Sequence, residues 1–440
     1  MENLKLSNLN FSNIFKFEKL ILLIIVTVFL LGRVSMGLYI FNFRLGELVI
    51  GFSALIFLFF LIRSILNFKT LTKFEKICAV LFSLILIHFL YLLLTNGYKA
   101  FELYPFKASS YIWVLGFFYI GMVSKYNFSS KASILLIFFV LLIDYYSSIF
   151  GITDAQQEIF LNYTDKFDYL KASDLLIFFI FFSYYVLRSV DYKKNFINQF
   201  LILFSIFYLP LIMHKSRGAS IGFILFIFLL LSDYLKSKPD KKTNLIIFSL
   251  SASVFIISAF IVSKSPLDIE EIPKKVVYVS TGRYDKPKQN KPQIYDDYPV
   301  LYLEGTRLFS SDGNLDWRLQ IWQDVFSDIS SKNLIFTGYG YNYKIPAMEE
   351  DYRSGNDGTN ENVHNFFVNI YARGGLIHLL LYIAFFVVLV NKAKSTNKLK
   401  SLIMVMLPVI ITSFFDASME NAHFPIIFYY LLGKIVKEKN

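Results

Sequence analysis

One cysteine in 440 residues, Cys78, rules out an intramolecular disulfide. It sits inside an apolar block and reads as a small buried hydrophobe. Charge is scarce too: Asp, Glu, Lys and Arg make up 18% of the chain, against about a quarter in a soluble domain. Six of the eleven prolines (Pro266, Pro273, Pro287, Pro292, Pro299 and Pro346) fall in one stretch, so most of the chain is poor in helix breakers. These shortages exclude a disulfide scaffold and a soluble domain of ordinary composition.

What fills the space is apolar. The chain is 55% hydrophobic, with 49 Phe and a mean hydropathy of +0.50. The apolar residues form blocks at 20–41, 45–62, 77–95, 108–124, 132–150, 173–189, 196–213, 218–235, 244–263, 374–391, 401–415 and 424–436. Crossing about 30 Å of hydrocarbon takes roughly 20 residues, so each block is near the required length. The expected fold is an all-α polytopic membrane protein of about 12 transmembrane helices. Lys16 and Lys19 precede the first apolar run, and Gly32 and Arg33 interrupt it where a small-residue cleavage site would stand. An uncleaved first helix is expected.

The net charge of +11 does not mark a nucleic-acid binder. Such a protein gathers its cations on one face with interleaved aromatics. Here, with the amino terminus inside, the inner segments hold 23 Lys and Arg and the short outer loops hold eight. That bias predicts cytoplasmic termini. Nine helices are then expected within 1–263, an extracytoplasmic loop at 264–362, and three more helices within 363–440. A polar connection of this length is usually functional or disordered, and Trp317 and Trp322 favour function. Within it, LDWRLQIWQDVFSDIS predicts a helix with Leu315, Leu319, Trp322, Val325, Phe326 and Ile329 on one stripe and Asn314 as its cap. Arg318 lies on that stripe and needs a partner, because an unpaired desolvated charge is costly.

Three groups that bind anions or move protons fall at one predicted height. Arg217 ends the short connection before the eighth block, Arg318 is in the outer loop, and His364 stands where the loop returns to the membrane. Guanidinium groups bind phosphate oxygens bidentately. A histidine is the default base near neutrality, and nearby arginines keep it neutral. Arg217 also fits a helix end at the headgroups, and His364–Asn365 also fits a helix cap. Gly218 and Gly222 fit close helix packing. GYGYN at 338–342 lacks the spacing and lysine of a phosphate-binding P-loop. Glu349, Glu350 and Asp351 read as a solvated run rather than a divalent-ion site. His214 is near Arg217. His423, with Asp416 and Glu420, reads as part of a solvated turn or the wall of an acceptor site. His88 and Asp144 lie within spans and need partners.

With these residues in place the chain resembles the O-antigen ligase and polymerase superfamily of bacterial membrane glycosyltransferases. The resemblance rests on SRG at 216–218, on Arg318 and Trp322 in RLQIW, on Gly338 and Gly340, and on His364–Asn365 followed by Gly375. It covers about 200–390. His378 stands where the family often has a second glycine, and Arg373 stands near the place of a common acidic residue. The resemblance implies an inverting, metal-independent transfer from an undecaprenyl-pyrophosphate-linked glycan at the extracytoplasmic face of the bacterial inner membrane. Arg217 and Arg318 would hold the pyrophosphate and His364 would deprotonate the acceptor. His214, Trp322, Gly338, Gly340, Asn365 and His423 would support them. The acceptor would be lipid A-core for a ligase or a lipid-linked repeat for a polymerase, with no cofactor. The rival reading is a flippase for lipid-linked glycans. That function needs a polar path across the midplane, whereas these spans are nearly uncharged.

Overall fold

The computed structural model describes residues 25–28, 32–41, 43–95, 97, 103–124, 128, 130–151, 170–189, 194–236, 240–265, 300–349, 353 and 361–437. Most of the first apolar block and the Pro-rich stretch 266–299 lie outside them. A two-residue hairpin, β1 (Tyr39–Ile40) and β2 (Phe43–Arg44), leads into α1 (Leu45–Leu66). There follow α2 (Lys73–Thr95), three short helices α3 (Leu103–Ala108), α4 (Ser110–Trp113) and α5 (Gly116–Val123), then α6 (Lys131–Phe150) and α7 (Ala172–Ser189). Next come α8 (Lys194–Lys215), α9 (Arg217–Lys236) and α10 (Lys241–Ser263). The loop carries strands β3 (Tyr302–Glu304) and β4 (Arg307–Phe309) and helix α11 (Gly313–Ser331). Helices α12 (Phe366–Ser395), α13 (Leu399–Ser413) and α14 (His423–Lys437) complete the described part.

Seven of these helices (α1, α2, α6, α8, α9, α10 and α12) are long and apolar enough to cross a membrane. Their outward faces carry exposed Leu55, Ile62, Ile87, Phe139, Phe228, Phe248 and Phe260, which suits a hydrocarbon solvent and not water. The block at 108–124 is broken into short pieces, and α14 has fifteen residues. Broken backbone is tolerated at depth only where protein surrounds it. Tyr111, Ile112, Phe117 and Phe118 are accordingly buried, and the Ser53 hydroxyl donates to the Trp113 carbonyl at 2.7 Å. Gly121 of α5 and Gly433 of α14 lie directly against each other's helix backbone, where any Cβ would clash.

The loop helix forms as its spacing predicts, with two corrections. Asp312, not Asn314, is its cap: one Asp312 oxygen accepts from the Asn314 and Leu315 amides at 3.1 and 3.0 Å. The buried stripe is Ile321, Val325 and Ile329, while Phe326 is 49% exposed and packs on Tyr371 instead. With Ile345, Met348, Val363, Val368 and Ala372, that stripe makes a second, smaller core that seats the loop on α12.

Two features lock the seat. Helix α12 is broken at Gly375 (φ 62°, ψ −166°), a backbone state that only glycine adopts easily. Into this break fits the segment 335–340. The Tyr339 and Gly340 amides donate to the Ala372 and Arg373 carbonyls at 2.7 and 2.9 Å, and the Leu376 amide donates to Ile335 at 2.8 Å. Tyr341 then reaches the interior, where its hydroxyl is 2.5 Å from that of Tyr111 and 2.7 Å from His378 Nδ1. His378 Nε2 donates to the Ile85 carbonyl at 3.0 Å, so Nδ1 is the acceptor. The histidine that replaces a family glycine thus pins the loop to α2. His88 packs edge-on against it, with ring centroids 4.7 Å apart. Asp144, by contrast, is buried with no hydrogen bond to its carboxyl among the described residues.

Candidate active site

The end of the bundle that faces the loop brings together pieces distant in sequence. Arg217 opens α9, where Gly218 packs against Phe415, the residue before Asp416. Gly222 likewise lets α9 approach Pro408 and Thr412 of α13. The Arg217 guanidinium is exposed and ion-paired to Asp312 at the start of α11. One turn further along α11, Arg318 is half-buried, and its Nε has no hydrogen-bond partner among the described residues. Burial pulls its pKa below the usual guanidinium range, and Asp416 and Asp312 oppose that. These two carboxylates supply the counter-charge that its place on the stripe demands.

His364 sits in the centre. Its backbone is left-handed (φ 53°), a state worth about 1–3 kcal/mol of strain in a non-glycine residue. Both neighbours hold it there. Trp322 Nε1 donates to the Val363 carbonyl at 2.7 Å, and Asn365 caps α12 by accepting from the Phe367 and Val368 amides at 3.0 and 3.1 Å. The imidazole meets the Trp317 ring edge-on at 5.0 Å. Its pKa is lowered to about 3, first by burial and then by Lys171, with Arg318 and Arg33 adding and Asp416 opposing. A neutral imidazole faces a cationic surround.

The other expected residues divide. Trp322 and Asn365 position His364. Gly338 and Gly340 serve the docking of 335–340 on α12: the amides of that loop are spent on helix carbonyls, so the segment is not a phosphate cradle. His214 is exposed in the last turn of α8. Glu349 is exposed, and Glu350 and Asp351 lie outside the described residues. The turn holding Asp416, Glu420 and His423 is a correction, since it is buried and not solvated. Asp416 is 8% and His423 1% exposed, and His423 Nε2 lies 2.6 Å from Asp174 Oδ1. The expectation that no carboxylates pair near His364 fails with it, because Asp416 acts on both His364 and Arg318. Lys171, 3.9 Å from Asp416, and Arg373 carried no sequence signal of their own. Arg373 is buried, donating to the Tyr343 carbonyl at 2.5 Å and the Tyr104 hydroxyl at 2.7 Å. Among the described residues no group of three or more His, Cys, Asp or Glu is placed to hold a metal ion.

Residues 200–383 match the family described as O-antigen ligase. This region of the chain belongs to that family. The matched region contains Arg217, Arg318, Trp322, Gly338, Gly340, His364, Asn365 and Gly375, and it ends before Asp416, Glu420 and His423. A comparison with curated proteins finds no match.

Proposed function

We propose that this O-antigen ligase family protein transfers a glycan from undecaprenyl pyrophosphate to an acceptor hydroxyl, at the extracytoplasmic face of the bacterial inner membrane. The observation that carries the reading is the neutral His364 held beside Arg318, with Arg217 paired to the cap of the same helix. Arg217 and Arg318 bind the pyrophosphate, whose charge exchanges for that of Asp312 on Arg217. His364 takes the proton of the acceptor hydroxyl while that oxygen attacks the anomeric carbon from the face opposite the leaving group, which inverts the centre. An imidazole of such low basicity is a weak base in the empty site. Bound pyrophosphate offsets the field of Lys171, Arg318 and Arg33, so basicity rises when the donor is in place. Protein cations do the work of a divalent ion at the leaving group. The acceptor is lipid A-core in a ligase or a second lipid-linked repeat in a polymerase.

The test is transfer by purified protein in nanodiscs, using lipid-linked glycan extracted from the producing cells. His364→Ala should lose roughly two to four orders of magnitude in rate while still eluting as a single species. Near-normal transfer by a well-folded variant would remove His364 from this role. In cells, a deletion that leaves single repeat units on the core indicates a polymerase. Complete loss of surface polymer, with lipid-linked chains accumulating, indicates a ligase.

A further inference from the structure

The α13–α14 connection ends in a 3-10 turn, Ala417–Glu420, whose last residue is unexplained by the roles above. Both Glu420 carboxyl oxygens are out of solvent contact and accept no hydrogen bond among the described residues. Such a group is costly as an anion and rare in a folded protein without a purpose. The turn packs against α4, α12, α13 and α14. The ionisable groups around it are Tyr111 of α4, Arg373 of α12, His423 of α14 with its partner Asp174, Asp416 on the turn itself, and Lys171 ahead of α7. Of these, Asp416 repels a Glu420 anion, whereas Arg373 and Lys171 attract it. Lys171 and Asp416 also act on His364. The Lys171–Asp416 pair therefore has His364 on one side and Glu420 on the other.

We propose that Glu420 is the general acid of the transfer, giving its proton to the leaving pyrophosphate oxygen while His364 accepts the proton of the acceptor hydroxyl. This rests on the role of His364 given above. The bond from the acceptor oxygen to the anomeric carbon forms, and the bond from that carbon to the phosphate oxygen breaks with its electron pair left on oxygen. The acceptor proton goes to His364, and the Glu420 proton goes to the phosphate oxygen. Exchange with water returns the His364 proton to solvent and reprotonates Glu420. Burial, then Asp416, push the Glu420 carboxyl up to about 8 against Arg373 and Lys171, so it holds a proton at neutrality. His364 is pushed the opposite way, the divergence expected of an acid and base pair. Once Glu420 has given up its proton, Arg373 and Lys171 hold the anion.

The experiment measures transfer from extracted lipid-linked glycan against pH for the wild type, Glu420→Gln, Glu420→Asp and His364→Ala in nanodiscs. The wild-type rate should fall as pH rises through about 8, where the acid form is lost. Glu420→Gln should be slower by roughly 100-fold, lack that alkaline limb, and still retain the donor on a filter. Wild-type rate with an unchanged limb in Glu420→Gln overturns the proposal. If the glutamine variant does not fold, Glu420→Asp decides. A limb moved along the pH axis supports the role, and an unmoved limb at wild-type rate overturns it. Normal transfer by His364→Ala would instead sink the underlying function, a result separable from either Glu420 outcome.

Discussion

Asp312 uses one carboxylate oxygen to cap the helix that carries Arg318 and the other to pair with Arg217. The anion between the two arginines occupies the place that the proposed function gives to donor phosphate. Asp312→Asn keeps a cap-forming side chain and removes the competing charge, so the donor KM should fall several-fold. Asp312→Ala also loses the cap, at about 1 kcal/mol, and should lower the thermal midpoint as well. An unchanged KM in the asparagine variant would show that Arg217 does not exchange Asp312 for phosphate.

Lysine cannot reproduce the two parallel hydrogen bonds of a guanidinium. Arg217→Lys and Arg318→Lys should each cut transfer by roughly 10- to 100-fold although charge is kept. EDTA should leave the wild type active. Abolition by EDTA with rescue by magnesium or manganese would replace this account with a metal-assisted one.

The depressed basicity of His364 has a stability consequence. Its unfolded form takes up a proton below about 6.5, whereas the folded form resists protonation until about 3. Below about 6.5 the unfolded state binds more protons, so acid removes stability progressively across that interval. The thermal midpoint in detergent should drop between about pH 7 and about pH 4.5, and less so in His364→Gln. Equal drops in both proteins would mean that His364 is not held neutral by the fold.

Orientation is tested by single cysteines in a Cys78→Ser background. Ser311→Cys, just before the loop helix, should react with an impermeant maleimide in spheroplasts. Ser395→Cys, at the far end of α12, should not. The reverse pattern would move the site to the cytoplasmic face.

Much of this molecule was legible from the chain. Apolar blocks long enough to cross hydrocarbon must become helices there, because only a helix satisfies its own backbone without water. The stripe around Ile329 announced α11, and the order SRG, RLQIW, HN placed three site residues. Its cap was missed by two residues, since both Asp312 and Asn314 are good cap formers and only the local backbone chooses. Phe326 was assigned to the buried face because spacing cannot say how wide that face is.

What the sequence determined by itself is the set of helices and the identity of Arg217, Arg318 and His364. What the tertiary structure decided is the environment that sets their chemistry. Lys171, Asp416 and Glu420 stand far from His364 in sequence, in short polar connections that look solvated when read along the chain. Packing of the Ala417–Glu420 turn under α4 and α12 removes that water, and desolvation turns ordinary carboxylates into groups that hold protons or tune a neighbour. Burial is a property of what surrounds a residue in space, so no local pattern of residue types could have revealed it.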